Sequence, residues 1–294
     1  MRIVFIGSVL FSEKALLKLI ELKANIVGVI TKEKSLYNSD FVDLSSISKE
    51  HNIPCKLVKD INHENNISWI NELNPDILFC FGWSSLIKSE LLNLTKLGVV
   101  GYHPAMLPNN RGRHPLIWAK VLGLQKTGST YFFMDEGADT GDILDQLSFE
   151  ISIIDDINDI YNNMTKVALK QIEFFYPKLI NGTFERIKQI DEGNSWRKRN
   201  KLDGLIDFRM STSSIVNLIR ALTKPFPGAY CEINGNEYKI WKCEPSSFTL
   251  NNIEPGKVLS ISNNIIEIKT GDGSIRLTEH ELPTLTKGEY LRNE

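Results

Sequence analysis

The sequence predicts an α/β domain followed by a smaller, β-rich domain. Strand-like and helix-like segments alternate over the first hundred residues, a long helical pattern follows, and from about residue 205 short strands are separated by turn residues. The 294 residues are 42% hydrophobic and 24% charged, which is typical of a globular protein with a buried core. We expect a first domain over residues 1–190, a linker over 191–204 and a second domain over 205–294.

Five apolar runs in the first hundred residues predict the strands of one sheet. The first run, RIVFIG, ends in glycine, and Ser12 then precedes apolar residues at helical spacing, for which it is a good N-cap. The remaining strands are expected at residues 25–31, 53–58, 76–83 and 97–102, with helices at 45–51 and 66–73. Alternating helices and fully apolar strands are typical of a parallel sheet with helices on both faces. Such sheets bind ligands beyond the carboxyl ends of their strands.

The rest of the chain changes in character. Residues 155–179 form a long helical pattern, which we expect to end at Pro177 or soon after it. The segments from residues 225–245 and 255–283 read as short strands separated by Asn-Gly, Asn-Asn and Gly-Asp-Gly turns. A small β-rich domain at the carboxyl end follows from this pattern.

Composition excludes several classes of protein. A net charge of -2 argues against a protein whose main task is to hold a nucleic acid. The four cysteines, Cys55, Cys80, Cys231 and Cys243, show no CxxC spacing, so we expect no metal site, no redox dithiol and a cytoplasmic location. No apolar run approaches the roughly 20 residues that span a bilayer, and we expect no membrane association.

The turn after the first strand, GSVLFS, carries one glycine rather than GxGxxG. A tight turn is therefore favoured over a nucleotide-binding loop there. A better candidate site lies at His103, which directly follows an apolar strand, together with the loop MDEGADTGDIL that begins at Met134. An acid near an imidazole can fix its tautomer, and glycines allow a ligand close to the backbone. From the residues alone, a His-Asp site and a solvated acidic turn both remain open.

Two segments carry a resemblance to a known family. HPAMLPNNRGRHPLIWA and TGSTYFFMDEGADTGDIL resemble the formyltransferases, which transfer a formyl group from 10-formyltetrahydrofolate to an amine. DGLIDFRMSTSSIVNLIRALTKPFPGAY resembles the entry to that family's second domain, so the likeness covers most of the chain. The resemblance implies a Rossmann-like first domain, an OB-like second domain and a folate formyl donor, with no metal.

The resemblance also implies roles for individual residues. His103 and Asp139 fall on the catalytic His and Asp of the family pattern, with the usual length of chain between them. His103 would help to deprotonate the amine and stabilise the intermediate, and Asp139 would orient the imidazole. The residues implied to bind the folate are Ser85, Leu86, Ile87, Arg113, Asp135, Glu136, Gly137 and Ala138.

One position departs from the family pattern. The family has asparagine two residues before the histidine, and this chain has Gly101. Asn109 and Asn110 stand in the following loop, where relatives have a basic residue and an aromatic one. Asn110 could supply the missing oxyanion donor. Alternatively, both asparagines only support the turn after Pro108, and a water or substrate group fills the gap at Gly101.

The acceptor amine is the least determined part of the prediction. RGRHP and RALTKPFPGAY resemble enzymes that formylate nucleotide-linked amino sugars of dTDP or UDP type, in surface polysaccharide and O-antigen synthesis. A methionyl-tRNA formyltransferase is the alternative, and a non-catalytic folate-binding homologue is a second one. The basic cluster Trp196 to Lys201 is interpreted as a solvated linker rather than an RNA contact. Exposed edge strands in the second domain would also allow a homodimer.

Overall fold

The computed structural model describes residues 1–34, 40–190, 192–246 and 252–291. Asp191, the first residue of the expected linker, lies outside them. The chain folds into two compact units, each built from three stretches. The first unit comprises Met1–Gly112, Thr127–Phe149 and Asn162–Trp196, and the second comprises Arg113–Lys126, Glu150–Tyr161 and Arg197–Glu294.

Strands and helices alternate through the first half of the chain. In order these are β1 (Arg2–Ile6), α1 (Leu10–Glu21), β2 (Asn25–Thr31), α2 (Ser45–Glu50), β3 (Cys55–Leu57), α3 (Glu64–Glu72), β4 (Ile77–Cys80), α4 (Ser89–Leu92), β5 (Val99–His103), β6 (Arg111–Gly112), α5 (Pro115–Val121), β7 (Lys126–Phe133) and β8 (Ile143–Glu150). The remainder comprises α6 (Ile157–Asn181), β9 (Ser195–Trp196), a 3-10 helix (Lys201–Gly204), α7 (Thr212–Leu222), β10 (Ala229–Ile233), β11 (Asn236–Ser246), β12 (Val258–Ser262), β13 (Ile265–Lys269) and β14 (Ser274–His280).

A seven-stranded sheet forms the first unit, in the order β3-β2-β1-β4-β5-β7-β8. The parallel arrangement predicted for the first five strands is confirmed, and the order reverses direction between β1 and β4. The sheet as a whole is mixed, because β7 runs antiparallel to β5 with His103 opposite Thr130. An apolar run does not encode the direction of its strand, so this reversal could not be read from the sequence.

The two faces of this sheet pack on different helices. Val4 and Leu78 face one side, in an aliphatic core that includes Ile67 of α3. Phe79 and Tyr131 face the other side, where both rings contact Phe175 of α6. Since side chains alternate along a strand, Gly101 and His103 share a face with Val99, which belongs to the aliphatic core. The expected helices on both faces are therefore confirmed.

The start of α1 differs from the sequence prediction. Ser12 is not the N-cap; the helix begins at Leu10, and Val9 occupies the capping position. The Ser12 hydroxyl accepts hydrogen bonds from the backbone N–H groups of Ser8 and Val9 and donates to the carbonyl of Phe81. A serine that joins two strand ends has the same local sequence pattern as a capping serine.

The second unit contains a five-stranded antiparallel sheet, in the order β10-β11-β14-β13-β12. The predicted small β-rich domain is thus confirmed, and five strands is the number in an OB fold. Helix α7 packs on this sheet, and α5 packs on α7. These contacts explain why residues 113–126 cluster with the second unit although they interrupt the first one in sequence. No helix in the described part of the chain is long and apolar enough to cross a membrane.

Candidate active site

The imidazole of His103 is held by oxygen atoms at both of its nitrogens. His103 ends β5, and only 5% of the residue is exposed. Its Nε2 lies 2.8 Å from the backbone oxygen of Asn110, and its Nδ1 lies 3.5 Å from Asp139 Oδ2. A carbonyl can only accept, so Nε2 donates in this arrangement. The predicted His-Asp pair is therefore brought together across 36 residues of sequence.

Asp139 is positioned through its backbone as well as its carboxylate. Its φ of 59° lies in the left-handed region, which aspartate tolerates better than most residues. Its Oδ2 accepts a hydrogen bond of 2.9 Å from the N–H of Gly112. A Cβ atom at position 112 would lie 2.3 Å from the carbonyl oxygen of Trp196, so glycine is required there. The Asp139 carboxylate thus joins the His103 ring to the backbone of Gly112, a position where only glycine fits.

Gln189 fixes the loop that carries Asp139. Its side-chain amide donates to the backbone oxygens of Asp139 and Gly141, at 3.0 and 2.7 Å. Its oxygen accepts from an Arg111 guanidinium nitrogen at 2.8 Å. Gln189 is buried, so these bonds are shielded from water. No local sequence pattern indicated this residue, which lies 50 positions from Asp139.

The loop after His103 is anchored at three points. Thr130 donates to the carbonyl of Ala105, and Gln146 donates to that of Leu107. Further along, the Asn194 side chain accepts from the N–H of Asn110 at 2.9 Å. Asn110 has a φ of 62° and presents its carbonyl to His103. The backbone of Asn110, rather than its side-chain amide, is the part that contacts the imidazole.

The space beside Gly101 is filled by a side chain of the protein. A Cβ atom at Gly101 would lie 2.8 Å from Met134 Cγ and 3.1 Å from its sulfur. Met134 also donates its backbone N–H to Val99, so the side chain is fixed at its base. From the sequence, a water, a substrate group or the Asn110 amide is expected in this space. Met134, the first residue of the acidic loop, has no polar group and therefore gave no indication of this role.

The two segments predicted to bind folate lie together. The Ser89 hydroxyl donates to Glu136 at 2.7 Å, which joins the first residue of α4, two positions after Ile87, to the loop after β7. Residues 135–138 are exposed, and the Asp135 carboxylate accepts bonds from Gly137 and Thr140 that shape this loop. Leu86 is 65% exposed, whereas the side chain of Ile87 is buried in the aliphatic core. At Ile87, only the backbone can therefore contact a ligand.

The three remaining predicted residues are Ser85, Asn109 and Arg113. Ser85 is exposed, and its hydroxyl accepts a hydrogen bond of 3.4 Å from Lys32. Asn109 is exposed, and its N–H closes a turn onto the carbonyl of Met106. Arg113 belongs to the second unit and directly follows Gly112 in the chain. Its assignment to folate binding stays a prediction.

Comparison with known proteins identifies the family. The formyl transferase model matches residues 1–173, and the model of the formyl transferase C-terminal domain matches residues 198–290. The chain belongs to the formyl transferase family. This confirms the family resemblance, and with it the expectation of a formyl-transferring enzyme.

Relatives with different acceptors are similar to this formyl transferase. It is 33% identical over 255 residues to the bifunctional polymyxin resistance protein ArnA of Wigglesworthia glossinidia brevipalpis, covering 85% of this chain and 38% of that protein. It is 30% identical to the methionyl-tRNA formyltransferase of Geobacter metallireducens, over 95% of this chain and 90% of that one. The crystal structure of WlaRD, a sugar 3N-formyl transferase with dTDP and 5-N-formyl-THF, has a TM-score of 0.72 at 22% identity, covering 97% and 99%.

Proposed function

We propose that this formyl transferase acts in the cytoplasm and transfers the formyl group of 10-formyltetrahydrofolate to a nucleotide-linked amino sugar of dTDP or UDP type. The observation that carries the proposal is the likeness to WlaRD along almost the whole chain, since that enzyme was crystallised with dTDP and a formyl folate. The His103–Asp139 pair, 3.5 Å apart, supplies the acid-base groups that the reaction needs. A role in surface polysaccharide synthesis and a homodimeric state belong to the same proposal.

The folate-binding part of the proposal fits the shape of the first unit. The loop of residues 135–138 offers exposed backbone groups, and Leu86, three residues before the Ser89 that bonds Glu136, offers an exposed apolar surface. Polar backbone beside an apolar side chain suits a flat heteroaromatic ring with donors and acceptors at its edge. When bound, the folate supplies the formyl group on its N10 atom.

The proton on the acceptor amine passes through His103. The amine is itself a hydrogen-bond donor, so it can replace His103 as the donor to the Asn110 carbonyl. The neutral ring then carries its single proton on Nδ1, which faces Asp139, and Nε2 is free to accept the amine proton. As the new nitrogen–carbon bond forms, the bond from the formyl carbon to N10 breaks, and the proton ends on N10. Asp139 holds Nδ1 throughout and keeps the ring oriented, while Gly112 fixes the Asp139 carboxylate at 2.9 Å.

A methionyl-tRNA formyltransferase is the second candidate. The Geobacter metallireducens relative covers nearly the whole chain at 30% identity, which favours that acceptor. The two candidates are separated by supplying 10-formyltetrahydrofolate with a dTDP- or UDP-linked amino sugar, or with initiator methionyl-tRNA, and measuring tetrahydrofolate release. We expect tetrahydrofolate release when the nucleotide-linked amino sugar is the acceptor, and not when initiator methionyl-tRNA is. Efficient formylation of the tRNA would overturn the proposal, and folate binding without turnover on either acceptor would indicate a non-catalytic homologue.

The same assay tests what replaces the family asparagine at Gly101. Asn110→Gly keeps the left-handed backbone and the carbonyl that contacts His103 but removes the side-chain amide. If the amide stabilises the oxyanion, the rate should fall by about a hundred- to a thousand-fold. We expect a rate within a few-fold of wild type, with Asn109→Gly as the matched control. A loss of oxyanion-donor size in Asn110→Gly alone would assign the amide to catalysis.

A further inference from the structure

The second unit contains a group of cations around one tryptophan. We call it the Trp118 cluster and define it as Trp118, His114, Arg197, Lys198 and Arg199. The guanidinium groups of Arg197 and Arg199 lie 5.2 and 5.0 Å from the centre of the Trp118 ring. The indole N–H donates to the backbone oxygen of Arg197 at 3.0 Å, which fixes the ring beneath both cations. The sequence interpretation of a solvated linker is therefore wrong for Arg199, which is only 9% exposed.

The guanidinium of Arg199 forms no salt bridge with any described carboxylate. Asp203 is the nearby carboxylate, and both of its oxygens are engaged by Arg197. Arg199 donates through Nη2 to the neutral backbone oxygen of Asp203 at 2.6 Å. Its Nη1 is buried and has no hydrogen-bond acceptor among the described residues. A buried guanidinium with an unused donor is costly, and an anion is the group that would remove the cost.

The surroundings of Arg199 are also positive. Burial lowers the pKa of His114, and the charges of Arg113, Arg199 and Lys198 lower it further, whereas Asp203 alone opposes them. Lys198 is exposed, so a solvent-accessible cation stands beside the buried one. An anion arriving here would meet one accessible and one preorganised charge.

We propose that the Trp118 cluster binds the phosphate groups of a small phosphate ester, with Arg199 as the central ligand and Lys198 beside it. The identity of this ester as the diphosphate of a nucleotide rests on the proposed function. A long nucleic-acid strand is disfavoured because the neighbouring cations are already used: Arg197 by Asp203 and Lys201 by Glu237. A compact site with one buried guanidinium suits one or two phosphates better than an extended backbone.

Inorganic pyrophosphate is the probe that tests the site without any formyl transfer. Titration of the full-length protein, followed by calorimetry and thermal shift, should show saturable stabilisation by pyrophosphate and by dTDP or UDP. Arg199→Met, which keeps the apolar stem, should weaken pyrophosphate binding by about tenfold or more. Lys198→Met, at an exposed position that folding tolerates, should weaken it by a few-fold. Arg209→Met is the matched control, because Arg209 is an exposed arginine of the same unit paired with Asp207.

Each outcome decides the proposal. Equal pyrophosphate affinity in wild type, Arg199→Met and Lys198→Met would overturn it, as would the absence of pyrophosphate binding to wild type. Arg199-dependent binding of tRNA without binding of pyrophosphate, dTDP or UDP would also overturn it in favour of a nucleic-acid contact. Arg199-dependent pyrophosphate binding in a protein that formylates no nucleotide sugar would keep the anion site and reject only the proposed function.

Discussion

His103 in the first unit and Arg199 in the second are both buried, nitrogen-containing side chains, but they differ in how many of their nitrogens have a partner. His103 has an oxygen near each ring nitrogen, and both oxygens come from the chain. Arg199 has one neutral carbonyl and a donor without an acceptor among the described residues. Both nitrogens of His103 have a partner without any ligand. The Nη1 of Arg199 would gain an acceptor from a bound anion. This difference is typical of a preorganised reacting group for His103 and of a ligand-binding group for Arg199.

The largest effect should come from breaking the His103–Asp139 pair. His103→Ala or Asp139→Ala should each lower kcat by about a hundredfold or more, since positioned acid-base groups contribute on that scale. The double variant should lose little beyond the worse single one, because the two side chains act as a unit. Steady-state rates of the four proteins form the test. Losses that multiply would show that His103 and Asp139 work independently.

Gln189 provides a test of how the pair is held. Gln189→Leu is close in size and leaves the Asp139 and Gly141 carbonyls and one Arg111 donor without partners. We expect the free energy of unfolding to fall by about 2 kcal/mol, with a matching fall in the melting midpoint of several degrees. Gln125→Leu, at an exposed position, is the control and should be near neutral. Equal stability of both variants would mean that the Gln189 bonds contribute nothing net.

Arg199 should respond in the opposite sense. In the absence of ligand, Arg199→Met should leave the free energy of unfolding unchanged or raise it by about 1 kcal/mol, because it removes a buried guanidinium whose Nη1 has no hydrogen-bond acceptor among the described residues. Asp203 keeps its bond to Arg197 in this variant. Chemical denaturation in a phosphate-free buffer measures the difference. A fall of several kcal/mol in the free energy of unfolding would show that the contacts of Arg199 stabilise the protein, which would contradict its description as an unsatisfied buried charge.

The smallest effect concerns Asp203. Its carboxylate accepts hydrogen bonds from Arg197, whereas Arg199 bonds only its backbone oxygen. Hydrogen bonding by Arg197 lowers the pKa of Asp203 from 3.8 to about 2. A depressed carboxyl pKa contributes stability above the unfolded pKa, and this contribution is lost as pH falls toward the folded pKa. The melting temperature of Arg197→Met should therefore lie below that of wild type at pH 6, and the gap should close between about pH 4 and pH 2. A gap independent of pH would contradict this account.

Local patterns in the sequence predicted much of the fold, the family resemblance implied His103 and Asp139 as the site residues, and the contacts that neither indicated are long-range. Alternating apolar runs placed β1 to β5, and the strand end before His103 indicated where chemistry would lie. Gln189 and Asn194 could not be found, because they reach the site across 50 and 84 residues of sequence. The burial of Arg199 was not predicted, because a run of charged residues is usually exposed and the sequence does not show that the ring of Trp118 packs against it.

The close contact between Gly101 and Met134 constrains replacement of Gly101 by the asparagine that the family pattern has at this position. A Cβ atom at position 101 overlaps the Met134 side chain at 2.8 Å, so asparagine and this methionine are incompatible without movement. A mutational path between the two states has to change position 134 first, or pass through a poorly packed intermediate. The two sites are therefore epistatic: the effect of substituting either residue depends on which amino acid occupies the other.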